Sequence, residues 1–385
     1  MTPRVAFVWP FPPEAPTAAA VRLSGFLDAA RRGGIQTLLL VPVSNGSREA
    51  TQLPPLYDAL VAAGGSAYAL ARLPGSVFRL ARYLRSNSCN LVVASSPAPM
   101  LAFQALVAAK LLDLPFVLDI RDTWEMETFT HEGRLRNRLK AFCERACVGG
   151  ATRVMCVTKT LLGQLASSSG VPVNRFVFVP NGADLSLFSR RQETTIADLV
   201  FAGSPAKYRN VPGILDAISE LRIFLPDVRI LCLGWAGLPE EREIRTWVRD
   251  RRLDSNVVLE PSVAHRDVAV TLPRCRLGVV SIPNSPAFRA AVGAKTYEYL
   301  ASGLPLACLG PEGTSELRTF VEGNKVGFFA TTPKEFAERA SELLLHEEAR
   351  ELLSDRCVTV AQQFDRRTIS DSCLGEVLVP LARMD

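Results

Sequence analysis

The sequence predicts an α/β protein of two Rossmann-like domains, each with a doubly wound parallel sheet, and three observations support this prediction. Short apolar segments alternate with helical segments along the chain, as they do in βαβ units. The alternation begins again after a turn-rich segment near the middle of the chain. The length of 385 residues suits two domains better than a single core.

The first half of the chain contains the elements of one predicted domain. Its strands are predicted at residues 5–9, 37–43, 91–94, 116–120, 154–157 and 176–179. Its helices are predicted at residues 18–32, 100–112 and 134–147. This half therefore has the strand–helix order of a parallel sheet.

The second half repeats the pattern. Its strands are predicted at residues 199–202, 229–233, 257–259, 277–281 and 306–309, with a helix at 212–225. We therefore expect domains at 1–183 and 199–365 and a linker at 184–198. A helical segment at 366–385 could pack back on the first domain.

Composition and charge exclude several classes of protein. The hydrophobic fraction of 48% and the charged fraction of 22% are those of a globular protein. The net charge of +5 suits phosphate ligands or an anionic membrane surface and is too small to indicate nucleic-acid binding. Nine scattered cysteines without a C-x-x-C pair favour a reducing compartment, so we expect a cytoplasmic protein. We expect neither a signal peptide nor a membrane-spanning helix.

Several cofactor and catalytic motifs are absent from the sequence. It has no G-x-G-x-x-G after the first strand, no P-loop and no G-x-S-x-G. Its three histidines lie far apart, and it has no D-x-D, the usual carboxylate pair for a metal-bound diphosphate. We therefore expect no cofactor and no metal ion.

The segment at residues 283–310, PNSPAFRAAVGAKTYEYLASGLPLACLG, is the most informative. It predicts a strand end, a loop with Arg289, and a helix that begins near Gly293 and carries Lys295 in its first turn. Free N–H groups at a helix start, with these cations beside them, form an anion site. Glu298, one turn further on, could accept hydrogen bonds from a ribose diol.

This segment resembles the donor site of the retaining family-4 (group 1) glycosyltransferases, in particular the branch with bacterial N-acetylfucosaminyltransferases. The matching residues are Arg289, Lys295, Glu298, Tyr299, Ala301, Gly303 and Pro305. Further blocks agree in order and spacing, among them FPPEAPTAAAVR, LVVASSPAP, LPFVLDIRDTW, FVPNGADLSLF and LVFAGSPAKYRNV. The resemblance covers nearly the whole chain.

The resemblance implies a GT-B fold, in which 1–183 binds an acceptor and 199–365 binds a nucleotide-diphosphate sugar. A UDP-sugar is favoured, and the acceptor would be a glycan, a glycolipid or a lipid-linked intermediate of polysaccharide or glycoconjugate synthesis. The implied catalytic residues are Arg289, Lys295, Arg209 and Asp122. The implied donor-binding residues are Glu298, Lys207, Gly203, Gly234, Glu260 and Gly293, with Gly234 in a turn after a strand. The implied acceptor-binding residues are Arg22, Arg121 and Trp124.

The sequence also departs from the family pattern. Ala290 stands where many members have a glutamate, and Gly293-Ala294 replaces a Pro-Ser pair. Three alternatives therefore stay open: a sugar-nucleotide epimerase on the same fold, a two-domain binding protein, and a partner subunit that has lost activity.

Two basic segments of the first half suggest peripheral contact with the inner face of a membrane. One is a stripe of Arg79, Arg82 and Arg85 on a helix. The other is a cluster of Arg134, Arg136, Arg138 and Lys140. In the helix at 134–147 we expect Leu135, Leu139, Phe142 and Ala146 to face the core. Basic residues near an anionic bilayer contribute about 1 kcal/mol each.

Overall fold

The computed structural model describes residues 2–15, 17–41, 51–52, 67–95, 98–121, 134–190, 194–205, 209–285 and 288–384. The chain forms two compact units. The first contains Met1–Pro180 and Arg367–Asp385, and the second contains Asn181–Arg366.

The first unit contains a parallel seven-stranded sheet in the order β3-β2-β1-β4-β5-β6-β7. Its strands are β1 Arg4–Val8, β2 Gln36–Val41, β3 Thr51–Gln52, β4 Leu91–Ser95, β5 Phe116–Ile120, β6 Arg153–Cys156 and β7 Phe176–Phe178. Its helices are α1 Ala18–Arg32, α2 Ala67–Ser86, α3 Pro99–Lys110, α4 Arg134–Gly150 and α5 Lys159–Ser169, followed near the C-terminus by α13 Arg366–Cys373 and α14 Val379–Ala382.

The core of the first unit forms because its central strands are apolar on both faces, as strands of a covered parallel sheet must be. All five residues of β4, LVVAS, are buried. Phe7 and Phe26 stack at 6.3 Å between ring centres. Leu374 and Leu378, from the π-helical segment between α13 and α14, belong to the same core.

The second unit contains a parallel six-stranded sheet in the order β10-β9-β8-β11-β12-β13. Its strands are β8 Ala197–Ala202, β9 Ile230–Ala236, β10 Val257–Pro261, β11 Cys275–Ser281, β12 Leu306–Leu309 and β13 Gly327–Ala330. Its helices are α6 Val211–Phe224, α7 Glu241–Asp250, α8 His265–Thr271, α9 Ala294–Ala301, α10 Glu316–Asn324, α11 Pro333–Leu345 and α12 Glu347–Ala361.

Helix α9 is fixed to this sheet by Tyr299. The Tyr299 hydroxyl accepts a hydrogen bond from the Ala202 amide at 2.8 Å and donates one to the Val200 carbonyl at 3.3 Å. The ring packs directly on Gly278, where an added Cβ would lie 2.5 Å from a ring carbon. The glycine therefore allows α9 to lie close to β8 and β11.

The prediction of two doubly wound parallel sheets is confirmed. Strand β8 begins at Ala197, inside the segment expected to be a linker. All nine cysteines are free and buried, and burial raises the pKa of Cys143 to about 11. Within the described ranges, no helix is both long enough and apolar enough to cross a membrane.

Candidate active site

The strand order of the second unit reverses between β8 and β11, and ligands of such sheets bind beyond the strand ends at this point. Gly203 follows β8 with φ +119°, and a Cβ there would meet nothing within 4 Å. The Gly203 carbonyl accepts a 3.0 Å hydrogen bond from Trp235 Nε1. A ligand could therefore approach the backbone closely here.

Gly234 corrects one expectation from the sequence. It lies inside β9 rather than in a turn, with φ +93°, a conformation that favours glycine. A Cβ on Gly234 would lie 3.5 Å from the carbonyl carbon of Gly203. The two glycines are thus neighbours at this end of the sheet.

Lys295 occupies the first turn of α9, as the sequence predicts. Part of its side chain is accessible, but Nζ is buried and has no hydrogen-bond partner among the described residues. Nζ lies 3.3 Å from the centre of the Phe201 ring. Burial, and then the charge of Arg209, hold the pKa of Lys295 well below its ordinary value, while Glu298 opposes this shift.

The surroundings of Lys295 suit an anion. An unpaired buried amine is unfavourable, and a second cation beside it increases the cost. An anionic ligand would supply both the missing hydrogen bonds and the opposite charge. Lys295 thus lies within electrostatic range of Arg209 and at the start of a helix, where backbone N–H groups also favour negative charge.

Arg209 and its neighbour Asn210 directly precede α6, in the segment that follows β8. Arg209 is half-buried, and Asn210 adopts φ 50° at the N-cap of α6. Asn210 Nδ2 donates to Ser281 Oγ at 3.2 Å, which ties this loop to the end of β11. Lys207, the other cation predicted on this loop, lies outside the described residues.

Arg289 and Gly293 precede α9. The Arg289 side chain is exposed and makes no hydrogen bond or ion pair with any other described residue. Its carbonyl accepts a 2.7 Å hydrogen bond from the Glu316 amide, which fixes the backbone. Gly293 is the N-cap of α9 with φ −69°, so its conformation does not require glycine.

Glu298 is buried, with 8% of its surface exposed, and it has partners that the sequence did not reveal. Its Oε1 lies 2.8 Å from Nε2 of His265 and 3.9 Å from Nη2 of Arg366. His265 is the first residue of α8, directly beyond the end of β10. That position after a strand end was a signal in the sequence that His265 could belong to the site.

Glu260 makes no hydrogen bond or ion pair with these residues in the described part of the chain. It is exposed near the end of β10, the edge strand of the sheet, and it pairs with Leu233 of β9. Its predicted part in donor binding stays a prediction.

Arg22, predicted to bind an acceptor, is buried and paired inside the first unit. Only 4% of it is exposed, and its Nε and Nη2 donate to both carboxylate oxygens of Asp119 at 2.8–3.1 Å. Nη1 and Nη2 also donate to the carbonyls of Pro180 and Val179, each at 2.9 Å. Arg22 thus ties α1 to the ends of β5 and β7, and its expected contact with an acceptor stays a prediction.

The remaining acceptor-side predictions are less well defined. Arg121 follows β5 directly and is half-buried. Asp122 and Trp124 lie outside the described residues. In the same unit, Ser95 Oγ donates to Asp119 Oδ2 at 3.0 Å, so Asp119 is held by groups from α1 and β4.

Helix α4 buries a different face from the one expected. Cys143, Cys147 and Val148 are buried, whereas Phe142 is 53% exposed. The prediction that Phe142 faces the core is therefore wrong. The ring of Phe142 contacts Phe103 of α3 at 5.9 Å between ring centres, which leaves an aromatic pair at the surface.

Two family models match the chain, one after the other. A glycosyl transferase 4-like domain matches residues 17–182, and a glycosyl transferase-like domain matches residues 209–370. Among curated proteins, no sequence is significantly similar to this chain.

Solved structures share the fold at low sequence identity. Sucrose-phosphate synthase from Thermosynechococcus elongatus superposes with a TM-score of 0.77 at 14% identity, over 99% of each chain. Anabaena HepE, solved with UDP and glucose, superposes with a TM-score of 0.74 at 16% identity, over 98% of this chain and 99% of that one. A Listeria monocytogenes protein assigned as a UDP-N-acetylglucosamine 2-epimerase superposes with a TM-score of 0.65 at 12% identity, over 100% of this chain and 98% of that one.

These likenesses show the fold, and the two domain matches together span most of the chain. The chain therefore belongs to the glycosyltransferases: it consists of a glycosyl transferase 4-like domain followed by a glycosyl transferase-like domain, and it has the GT-B fold.

Proposed function

We propose that the protein transfers a sugar, with retention of anomeric configuration, from a nucleotide-diphosphate sugar to a glycan or lipid-linked acceptor. The observation that carries this proposal is the buried, unpaired amine of Lys295 beside Arg209 at the start of α9. A diphosphate would supply hydrogen-bond partners to the Lys295 amine and negative charge to both cations and the helix N–H groups. Glu298, one turn further along the same helix, would contact the ribose.

A UDP-sugar is our favoured donor. Anabaena HepE, which shares the fold, has been solved with UDP and with UDP-glucose. Gly203, directly after β8, is exposed, and its backbone is open where we expect the nucleotide. Backbone groups there could hold the base, as the family resemblance implies.

The proposed mechanism relies on charge rather than on a tuned base. The departing diphosphate would take the proton of the acceptor hydroxyl on the same face of the sugar, while Lys295, Arg209 and Arg289 stabilise its charge. Fixed donors that act on charge developing in the transition state typically contribute about 10²–10³ in rate each. Because these cations would neutralise the diphosphate, we propose that the reaction needs no divalent metal and no cofactor.

A thermal-shift screen tests the donor class. UDP-, GDP-, ADP- and dTDP-sugars would each be added to the full chain at high concentration. A ligand at 100 times its dissociation constant adds about 2.7 kcal/mol to stability. We expect the largest shift with UDP-sugars, and no shift with any nucleotide sugar would contradict the proposal.

An epimerase on the same fold is the second candidate, because the Listeria monocytogenes protein assigned to that activity superposes over nearly the whole chain. Incubation with donor alone distinguishes the two activities. An epimerase would convert the nucleotide sugar into its epimer without an acceptor. A transferase would leave it intact or hydrolyse it slowly.

We also propose that the first unit contacts the cytoplasmic face of a membrane, where a lipid-linked acceptor would be presented. Helices α2 and α4 both pack against α3, and they expose basic and aromatic side chains. These are Phe78, Arg79, Arg82 and Arg85 on α2, and Arg138 and Phe142 on α4. Exposed aromatic and basic groups together favour an anionic interface.

Sedimentation with anionic vesicles tests this contact at low salt. The wild-type chain should sediment with phosphatidylglycerol vesicles, and Arg138→Glu with Phe142→Ser should release it while sparing turnover on a soluble acceptor. If the wild-type chain ignores these vesicles, the basic helices are ordinary solvated faces.

A further inference from the structure

The carboxylate of Glu298 is held through one of its two oxygens. His265 Nε2 lies 2.8 Å from Oε1, within hydrogen-bond distance. Arg366 Nη2 lies 3.9 Å from the same oxygen, which makes this contact an ion pair rather than a hydrogen bond. Among the described residues, no hydrogen bond to Oε2 occurs.

The chemistry of the pair fixes which atom donates. An ionised carboxylate only accepts hydrogen bonds, so His265 must carry its proton on Nε2 and donate it to Glu298. The His265 ring is itself fixed, since it packs on the Phe188 ring at 4.9 Å between centres. His265 therefore holds Oε1 from a defined direction.

Arg366 is anchored as well. Its Nη2 donates to the Gly182 carbonyl at 3.0 Å, and its backbone amide donates to the Ala183 carbonyl at 2.8 Å. Only 8% of Arg366 is exposed. Two anchored groups on one oxygen restrict the rotation of the carboxylate and leave Oε2 available to a further donor.

We propose that His265 is a positioning residue for nucleotide recognition, which fixes the Glu298 carboxylate so that Oε2 accepts a hydrogen bond from a ribose hydroxyl. The site would thereby distinguish ribonucleotides from deoxyribonucleotides. A polar site arranged for a hydroxyl rejects the analogue that lacks it, because the site's own polar group is then left unpaired. This inference rests on the proposed function, namely that a nucleotide-diphosphate sugar binds at α9.

A purely structural role for His265 predicts a different result. If His265 only compensates a buried carboxylate, its loss lowers the melting temperature and changes the affinity for every nucleotide by the same factor. If it positions the carboxylate, its loss affects the ribonucleotide and spares the deoxy analogue. The ratio of the two affinities is therefore the decisive quantity.

The experiment compares UDP, 2′-deoxy-UDP and 3′-deoxy-UDP by calorimetry on the full chain. Wild type should bind UDP at least tenfold more tightly than one deoxy analogue. His265→Ala should bring this ratio to within about threefold of unity while leaving the affinity for that analogue unchanged. His265→Gln should retain the ratio, since its amide nitrogen can donate to Oε1, whereas the shorter His265→Asn should lose it. If His265→Ala does not fold, the comparison of His265→Gln with His265→Asn still decides the question.

Two variants serve as references. Glu298→Gln should bind UDP and the deoxy analogue with similar affinity, because the substitution removes the carboxylate itself. His346→Ala should keep the wild-type ratio, because the His346 side chain is exposed and makes no hydrogen bond with another described residue.

The outcomes separate the two levels of the argument. No binding of any uridine nucleotide by wild type would overturn the proposed UDP-sugar donor, and with it the role of His265 in recognising its ribose. A ratio lost in Glu298→Gln but unchanged in His265→Ala would overturn the positioning role alone. A wild-type chain that binds UDP and both deoxy analogues equally would overturn the ribose contact and the positioning role with it.

Discussion

Replacing Lys295 with Met should stabilise the unliganded protein. The change keeps most of the side chain's length and removes an amine that is buried, without a hydrogen bond, and close to Arg209. An unsatisfied buried polar group costs about 1–3 kcal/mol. The contact between Nζ and the Phe201 ring offsets about 0.5–2 kcal/mol of this cost. We therefore expect the free energy of unfolding to rise by about 1 kcal/mol, or about 2–4 °C in Tm for a domain of this size.

The same substitution should weaken nucleotide binding. A hydrogen bond to a charged group contributes about 1.5–3 kcal/mol, which corresponds to a loss of tenfold or more in UDP affinity. Urea unfolding without ligand and calorimetry with UDP measure the two effects. Lys334→Met is the matched control, because this lysine is exposed on α11, and it should change neither quantity appreciably. Lower stability of Lys295→Met with unchanged UDP affinity would refute the anion-site argument.

The lowered pKa of Lys295 also fixes the sign of a pH dependence. Between its folded-state pKa and about 10.4, the ordinary value for lysine, the unfolded chain binds more protons than the folded one. The stability of the wild type therefore rises with pH across this window, and the advantage of Lys295→Met shrinks. Urea unfolding of both proteins over a pH series measures this difference. An advantage that grows with pH would contradict the burial of the amine.

Three further results are expected. Arg22→Ala leaves the Asp119 charge buried and unpaired, so the free energy of unfolding, measured by urea titration, should fall by about 3–5 kcal/mol. A loss below about 1 kcal/mol would mean that water replaces the guanidinium. Arg289→Ala should change Tm by no more than about 2 °C, because the side chain is exposed, yet lower turnover on the order of 100-fold; a large loss of Tm with near-normal turnover would mark a structural residue. Turnover should survive EDTA, and activity that is lost in EDTA and restored by Mg²⁺ or Mn²⁺ would contradict the proposed cationic site.

The sequence was sufficient to predict most of the elements because their signals are local. The helix expected at 18–32 and the strand expected at 306–309 have those bounds in the structure. Strand β13 was missed, since its four residues, GFFA, are too few to show a period. The prediction of the buried face of α4 was also wrong, because two cysteines rather than Phe142 are buried.

The candidate site was predictable only in part. The placement of Lys295 and Glu298 on one helix follows from their spacing within a single segment. The contact between Glu298 and His265 does not, because 33 residues separate them and only the strand order brings their helices together. Likewise, the pairing of Arg22 with Asp119, 97 residues away, depends on the neighbouring positions of β1, β4 and β5 in the sheet.

The most direct test of the central claim compares UDP with uridine on the wild-type chain by calorimetry. The two ligands share base and ribose, so the difference in their affinities isolates the diphosphate that Lys295 and Arg209 are proposed to bind. We expect UDP to bind at least 100-fold more tightly than uridine, which corresponds to about 2.7 kcal/mol, and Lys295→Met to reduce this difference by tenfold or more. Equal affinities for UDP and uridine, or a difference that Lys295→Met leaves unchanged, would contradict the claim that the buried amine of α9 is an anion site for a nucleotide diphosphate.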